Sequence, residues 1–205
     1  FNSRQIYKQT YPILIALTLL SFLFTIDVLL VKHFFDEVSA GLYVAAALIG
    51  KIIFFGTFAI SQVMFPKSVE RYSVNKSTKK ILKKSLFMVS IITIPATIFY
   101  FIFPKLITLI LFGKDYLPIT GLLGLFGISI SLFSFSYVLV LYNLSINRNS
   151  LIYFLILAAN LEIILIYFLH SSLFQILLIL TIIMSLVFLF LLFYTFKGEK
   201  WSSSQ

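Results

Sequence analysis

Three ionisable side chains stand inside apolar stretches of this sequence: Asp27, Lys51 and Glu162. A charge near mid-membrane costs roughly 2.5–3.5 kcal/mol on insertion scales, so such residues face a protein interior or a wet cavity and lean towards function. Lys51 lies eleven residues past Ala40, about 16 Å along a helix, near the middle of a hydrocarbon core about 30 Å thick. Glu162 lies eleven residues past Leu151 and reaches a similar depth from the opposite side. Asp27 is five residues before Lys32, about 7–8 Å below the outer end, and meets Lys51 only through helix tilt or the long lysine stem. Two chemistries fit. One is a cation-lined cavity for an anion, with a titratable or ion-coupling carboxylate; the other is a buried ion pair that only orients helices. Lys32 sits at the outer rim, where a charge costs little. Gln62, eleven residues beyond Lys51, falls on the same helix face and joins the candidate cavity.

Other chemistries lack their residues. There is no cysteine, which removes disulfides, zinc–thiolate sites and thiol catalysis. No phosphate loop, Gly-rich dinucleotide fingerprint or HExxH is present. The only histidines, His33 and His170, lie near outer helix ends without ligand spacing. We therefore expect no enzyme activity, no cofactor and no metal centre.

The elements that position these residues follow from hydropathy. The 205 residues are 60% hydrophobic and 11% charged, with a mean hydropathy of +1.06. An ordinary soluble domain carries about 25% charged residues and exposes much of its surface to water; here the solvent is lipid. A spanning helix needs about 20 mostly apolar residues. Six runs qualify: about 11–31, 40–65, 86–103, 119–144, 151–169 and 173–196. Pro66 closes the second, Pro95 kinks the third, and the fold expected over residues 1–205 is a single all-α, six-helix transmembrane bundle.

Charge sorting sets the orientation. With the N-terminus inside, Arg4, Lys8, Lys67, Arg71, Lys76, Lys79, Lys80, Lys83, Lys84, Arg148, Lys197 and Lys200 fall on the inner side, and only Lys32, Lys105 and Lys114 on the outer. The bias predicts a multi-pass protein of the cytoplasmic membrane with both termini cytoplasmic. The stretch 67–85 is a basic cytoplasmic loop. It suits membrane lipids, whose anionic head groups it touches; the sharper reading is docking of an anionic ligand or partner, since Lys76, Lys79, Lys80, Lys83 and Lys84 recur at helical spacing. A nucleic-acid partner is not expected, because aromatic interleaving and binding motifs are absent.

Helical faces add detail. Thr18, Ser21, Thr25 and Lys32 form one stripe, with Asp27 pointing away from it. Gly50, Thr57 and Ser61 widen the polar sector beside Lys51 and Gln62, which predicts a wet cavity along the second span. Gly124, Gly127, Ser131 and Ser134 form a small-residue stripe suited to close helix packing. Asn160 does not share a face with Glu162.

The order of several motifs resembles a known family. "DVLLVKHFFDEVSAGLYVAAALIGKIIFF" followed by "ISQVMFPKSVE" resembles the seventh and eighth helices of polysaccharide-biosynthesis flippases. "LITLILFGKDYLPITGLLGLFGISISL" resembles the element leading into the tenth helix, and "LYNLSINRNSL" the inner turn after it. These belong to the oligosaccharide-flippase branch of the multidrug/oligosaccharidyl-lipid/polysaccharide exporter superfamily. The resemblance implies that the chain is the second six-helix bundle, one half of a twelve-to-fourteen-helix transporter, which also suits a first residue that is Phe1 rather than Met. It implies an N-terminal six-helix half as partner and a lipid-linked oligosaccharide, an undecaprenyl-diphosphate-sugar, as substrate, moved by alternating access. Lys51 and Lys32 match the family's cationic cavity. A cation-coupled multidrug antiporter of the same superfamily and a non-transporting membrane scaffold are the alternatives.

Overall fold

The computed structural model describes the backbone of residues 3–202 and the side chains of residues 10–197. The expected inner-side cations Arg4, Lys8 and Lys200 lie outside those described side chains. Seven α-helices follow in order among the described residues: α1 Ser3–Phe34, α2 Glu37–Ser73, α3 Lys79–Ile102, the short α4 Pro104–Leu111, α5 Thr120–Ser145, α6 Leu151–Phe168 and α7 Leu173–Ser202. A 3₁₀ turn, Lys114–Ile119, leads into α5. Six of these stretches are long and apolar enough to cross a membrane, and no strand occurs among the described residues. In lipid each backbone N–H and C=O must be satisfied within its own segment, which is why the apolar runs become helices.

Helix ends carry their own chemistry. The Asp36 carboxylate caps α2 by accepting the Ser39 N–H at 3.0 Å. Hydrogen bonding from Ser39 holds the Asp36 carboxyl below the usual carboxylate range. Two of the turns share one device: Asn75 (φ 54) after α2 and Asn147 (φ 58) after α5 adopt the left-handed conformation. The next N–H in each returns to the helix, Lys76 to the Arg71 carbonyl and Arg148 to the Asn143 carbonyl. Asn tolerates this conformation better than other residues with a side chain.

The helix outruns one expected limit: α2 continues past the apolar run and through Pro66 to Ser73, while Pro95 lies inside α3. A proline removes one helical hydrogen bond, but Met64 and Ser68 on either side of Pro66 are buried and hold the turn. The stretch 67–85 is therefore a helical hairpin with a short turn at 74–78, not a loop.

Helix α5 forms the centre, and its C-terminal stretch, Ser136–Ser145, is buried on every side. It packs against α2, α3 and α7, while α1 lies against α2 and α6. The small-residue stripe does what close packing requires. A Cβ at Gly124 would lie 2.4 Å from the Phe101 ring, and one at Gly127 would lie 3.3 Å from the Thr97 backbone. Ser131 hydrogen-bonds Thr97 at 2.8 Å. Polar pairs tie other helices to the centre: Ser129 to Thr181 at 2.6 Å and Asn143 to Thr195 at 2.7 Å join α5 to α7. The outer surfaces of α3 and α6 expose Phe87, Ile94, Ile98, Leu157 and Ile164, the surface expected where lipid replaces water.

Candidate functional site: a buried carboxyl–ammonium cluster

Helix α1 supplies Asp27, α2 supplies Tyr43 and Lys51, and α6 supplies Glu162. Asp27 is 1% exposed and Glu162 is 0% exposed. One Asp27 oxygen, Oδ2, accepts the Tyr43 hydroxyl at 3.1 Å. The other, Oδ1, lies 3.9 Å from Lys51 Nζ and has no hydrogen-bond partner. Tyr43 and Lys51 are eight residues apart, about 12 Å along α2. Their long side chains therefore converge on Asp27 from positions about two turns apart. This geometry brings together Asp27 and Lys51, whose heights in separate helices looked mismatched.

Lys51 has a second neighbour. Its Nζ lies 4.7 Å from the centroid of the Phe24 ring, a cation–π arrangement. Phe24 is itself locked between Phe54 and Phe133, each with centroids 4.9 Å away. Glu162 lies close enough to interact electrostatically with Asp27, Lys51 and Tyr43, yet neither of its oxygens has a hydrogen-bond partner. The cluster thus holds two buried carboxyl groups and one largely buried ammonium. A buried excess charge is neutralised by a proton or a small cation, because isolated ionised groups are too costly there. Lys51–Asp27 is an ion pair between helices α1 and α2.

The remaining expected site residues lie elsewhere. Gln62 is exposed on α2, eleven residues beyond Lys51. Lys32 is exposed at the end of α1, away from the cluster. The stripe Thr18, Ser21 and Thr25 is exposed on the outer face of α1, with Thr25 donating to the Ser21 carbonyl at 2.8 Å. Thr57 and Ser61 are buried and do not line a wet cavity. Thr57 donates to the Phe54 carbonyl at 2.9 Å, and the same helix meets α5 where Gly50 faces Phe126 and Phe54 faces Phe133. His170 stacks on Phe34 with centroids 4.0 Å apart, pinning the ends of α1 and α6 together. Asn160 is exposed and donates to the Ile156 carbonyl.

Sequence reasoning missed Tyr43 and Phe24. Tyr43 carried a usable signal, two helical turns before Lys51 on α2, but it was one of eleven tyrosines among 24 phenylalanines.

Residues 4–121 match the family model described as polysaccharide biosynthesis protein. The chain belongs to this family. The matched stretch contains Asp27, Lys32, Tyr43, Lys51 and Gln62, while Glu162 lies beyond it. No curated protein and no solved structure matches the chain. With its six apolar helices, this polysaccharide-biosynthesis protein is a multi-pass membrane protein.

Proposed function

We propose that this polysaccharide-biosynthesis protein is a transporter rather than an enzyme: a flippase that moves a lipid-linked oligosaccharide, an undecaprenyl-diphosphate-sugar, across the cytoplasmic membrane by alternating access. The observation that carries the reading is Lys51. It is an ammonium inside the bundle, held loosely at 3.9 Å from Asp27 and against an aromatic face. A phosphate oxygen approaching closer than the carboxylate competes for it, and a lysine is a fitting point charge for a diphosphate. The surplus carboxyl in the cluster supports coupling to a proton or small cation, through Asp27 and Glu162.

The exposed polar stripe of α1, Thr18, Ser21 and Thr25, is costly against lipid and suits a face turned towards an aqueous path. It supports a second six-helix half as partner, with the path between the two. Lys32 and Gln62 stand on exposed positions and belong to the rim of that path. The charge distribution supports both ends of this segment facing the cytoplasm.

A cation-coupled drug antiporter is the second reading, favoured by the two carboxyls that outnumber Lys51 in the cluster. Replacing Lys51 separates the two. Under the flippase reading Lys51→Ala lowers surface glycan export per molecule of protein in the membrane. Export unchanged at equal abundance removes Lys51 from the path and the reading with it.

A further inference from the structure

The hairpin formed by the end of α2 and the start of α3 has no part in the cluster, and its charge is unusual. Lys67, Arg71, Lys76, Lys79, Lys80, Lys83 and Lys84 are all exposed along it. Glu70 is the single acid between Glu37 and Asp115. Lys79 and Lys83, and Lys80 and Lys84, repeat at four residues on α3, so like charges are stacked on one helix face, which works against the helix. They also occupy its N-terminal turns, where the helix dipole disfavours cations and where the first turn of α3 itself holds no acid.

The hairpin is nevertheless held in place. Ser68, Thr78, Leu82 and Ser85 are buried on its inner side, and Thr78 Oγ1 hydrogen-bonds the Tyr142 hydroxyl of α5 at 2.9 Å. The cations are fixed outward by this packing. A chain that maintains such repulsion through packing gains from an anionic surface outside it.

Depth selects the surface. Lys67 follows the apolar run ending at Phe65 by two residues, and Lys84 precedes the run starting at Leu86 by two. These lysines stand at head-group level, while the turn lies about 12 Å further out, eight residues at 1.5 Å each. We propose that the α2–α3 hairpin binds the anionic phospholipid head groups of the membrane face on which it emerges. Because α2 is continuous from Lys51 to Arg71, head groups that grip the hairpin also fix the helix that carries Lys51. The proposal is independent of the flippase reading and survives if Lys51→Ala leaves export unchanged.

The test uses the full-length protein in neutral detergent, with its melting temperature followed as phosphatidylglycerol or phosphatidylcholine is added. Phosphatidylglycerol is expected to raise Tm, phosphatidylcholine is not, and about 0.5 M salt abolishes the difference by screening. Each lysine near an anionic surface is worth about a fivefold attraction. The combined change Lys79→Gln, Lys80→Gln, Lys83→Gln and Lys84→Gln is therefore expected to raise the half-saturating phosphatidylglycerol level by at least about tenfold. Arginine at the same four positions retains the response, and so does Lys105→Gln with Lys114→Gln at the opposite end. Three results overturn the proposal: equal stabilisation by both lipids, an undiminished response in the glutamine variant, or stabilisation by a polyglutamate peptide alone, which assigns the surface to an acidic protein.

Discussion

Replacing Lys51 by methionine keeps the length of the side chain and removes its charge. At 3.9 Å two unit charges attract by about 4 kcal/mol at an effective dielectric near 20. Desolvation cancels part of that gain while the pair is intact, but removing one partner strands the other, at a cost of about 3–5 kcal/mol. In a chain of this size each kcal/mol moves Tm by about 2–4 °C, so Lys51→Met is expected to lower Tm by roughly 6–20 °C. Asp27→Leu is expected to cost less, because Lys51 then keeps Glu162 within electrostatic reach and Phe24 beneath it. The double variant is expected to recover about 1–3 kcal/mol relative to the sum of the singles. The assay is thermal unfolding of the purified protein at matched lipid content. Additivity within about 0.5 kcal/mol would show that Asp27 and Lys51 do not interact, and would refute the cluster as described.

Three further outcomes are expected. Glu162→Leu removes a buried carboxyl with no hydrogen-bond partner and should raise Tm or leave it unchanged; if the residue couples transport to a proton or cation, the same variant loses export, and a variant that is both stable and fully active excludes that role. Gly50→Ala drives a Cβ to 2.9 Å from Phe126, which is fully buried, and should destabilise by about 1–3 kcal/mol. Gly124→Ala meets only the exposed and movable Phe101 ring, so its Tm should fall less despite a closer 2.4 Å approach; the reverse order would show that α3 is rigid there. Asp36 has a depressed folded pKa, so its cap contributes fully above the unfolded value near 3.9 and is lost as pH falls through the folded one. Hydrogen exchange at the Ser39 amide should therefore accelerate below that range in the wild type and show no such step in Asp36→Asn.

Much of the architecture was legible because lipid is an uncompromising solvent. Any spanning segment has to satisfy its own backbone, so apolar runs such as 119–144 and 151–169 correspond closely to α5 and α6. The stripe Gly124, Gly127 and Ser131 was legible for the same reason, since small residues repeating every three or four positions meet a neighbouring helix. Helix ends beyond the membrane were not. Lysine and arginine are good helix formers in water, and hydropathy registers the limit of the lipid rather than the limit of the helix. Hence α2 outran Pro66 by seven residues and α3 began seven residues before Leu86.

By itself the sequence determined a six-span, all-helical membrane protein with a basic end, and it singled out Asp27, Lys51 and Glu162, because the cost of burying charge in lipid depends on position along each span. Only the tertiary structure decided how they are arranged. Depth along a helix says nothing of which way a side chain turns around the axis or which helix lies beside it. Packing of α1 between α2 and α6 brought Asp27 to Lys51, added Tyr43, and left Glu162 nearby without a hydrogen bond. It also turned Thr18, Ser21, Thr25 and Gln62 outward, and buried Thr57 and Ser61 in the core. These choices were made by the contacts between helices, which a single chain read end to end does not contain.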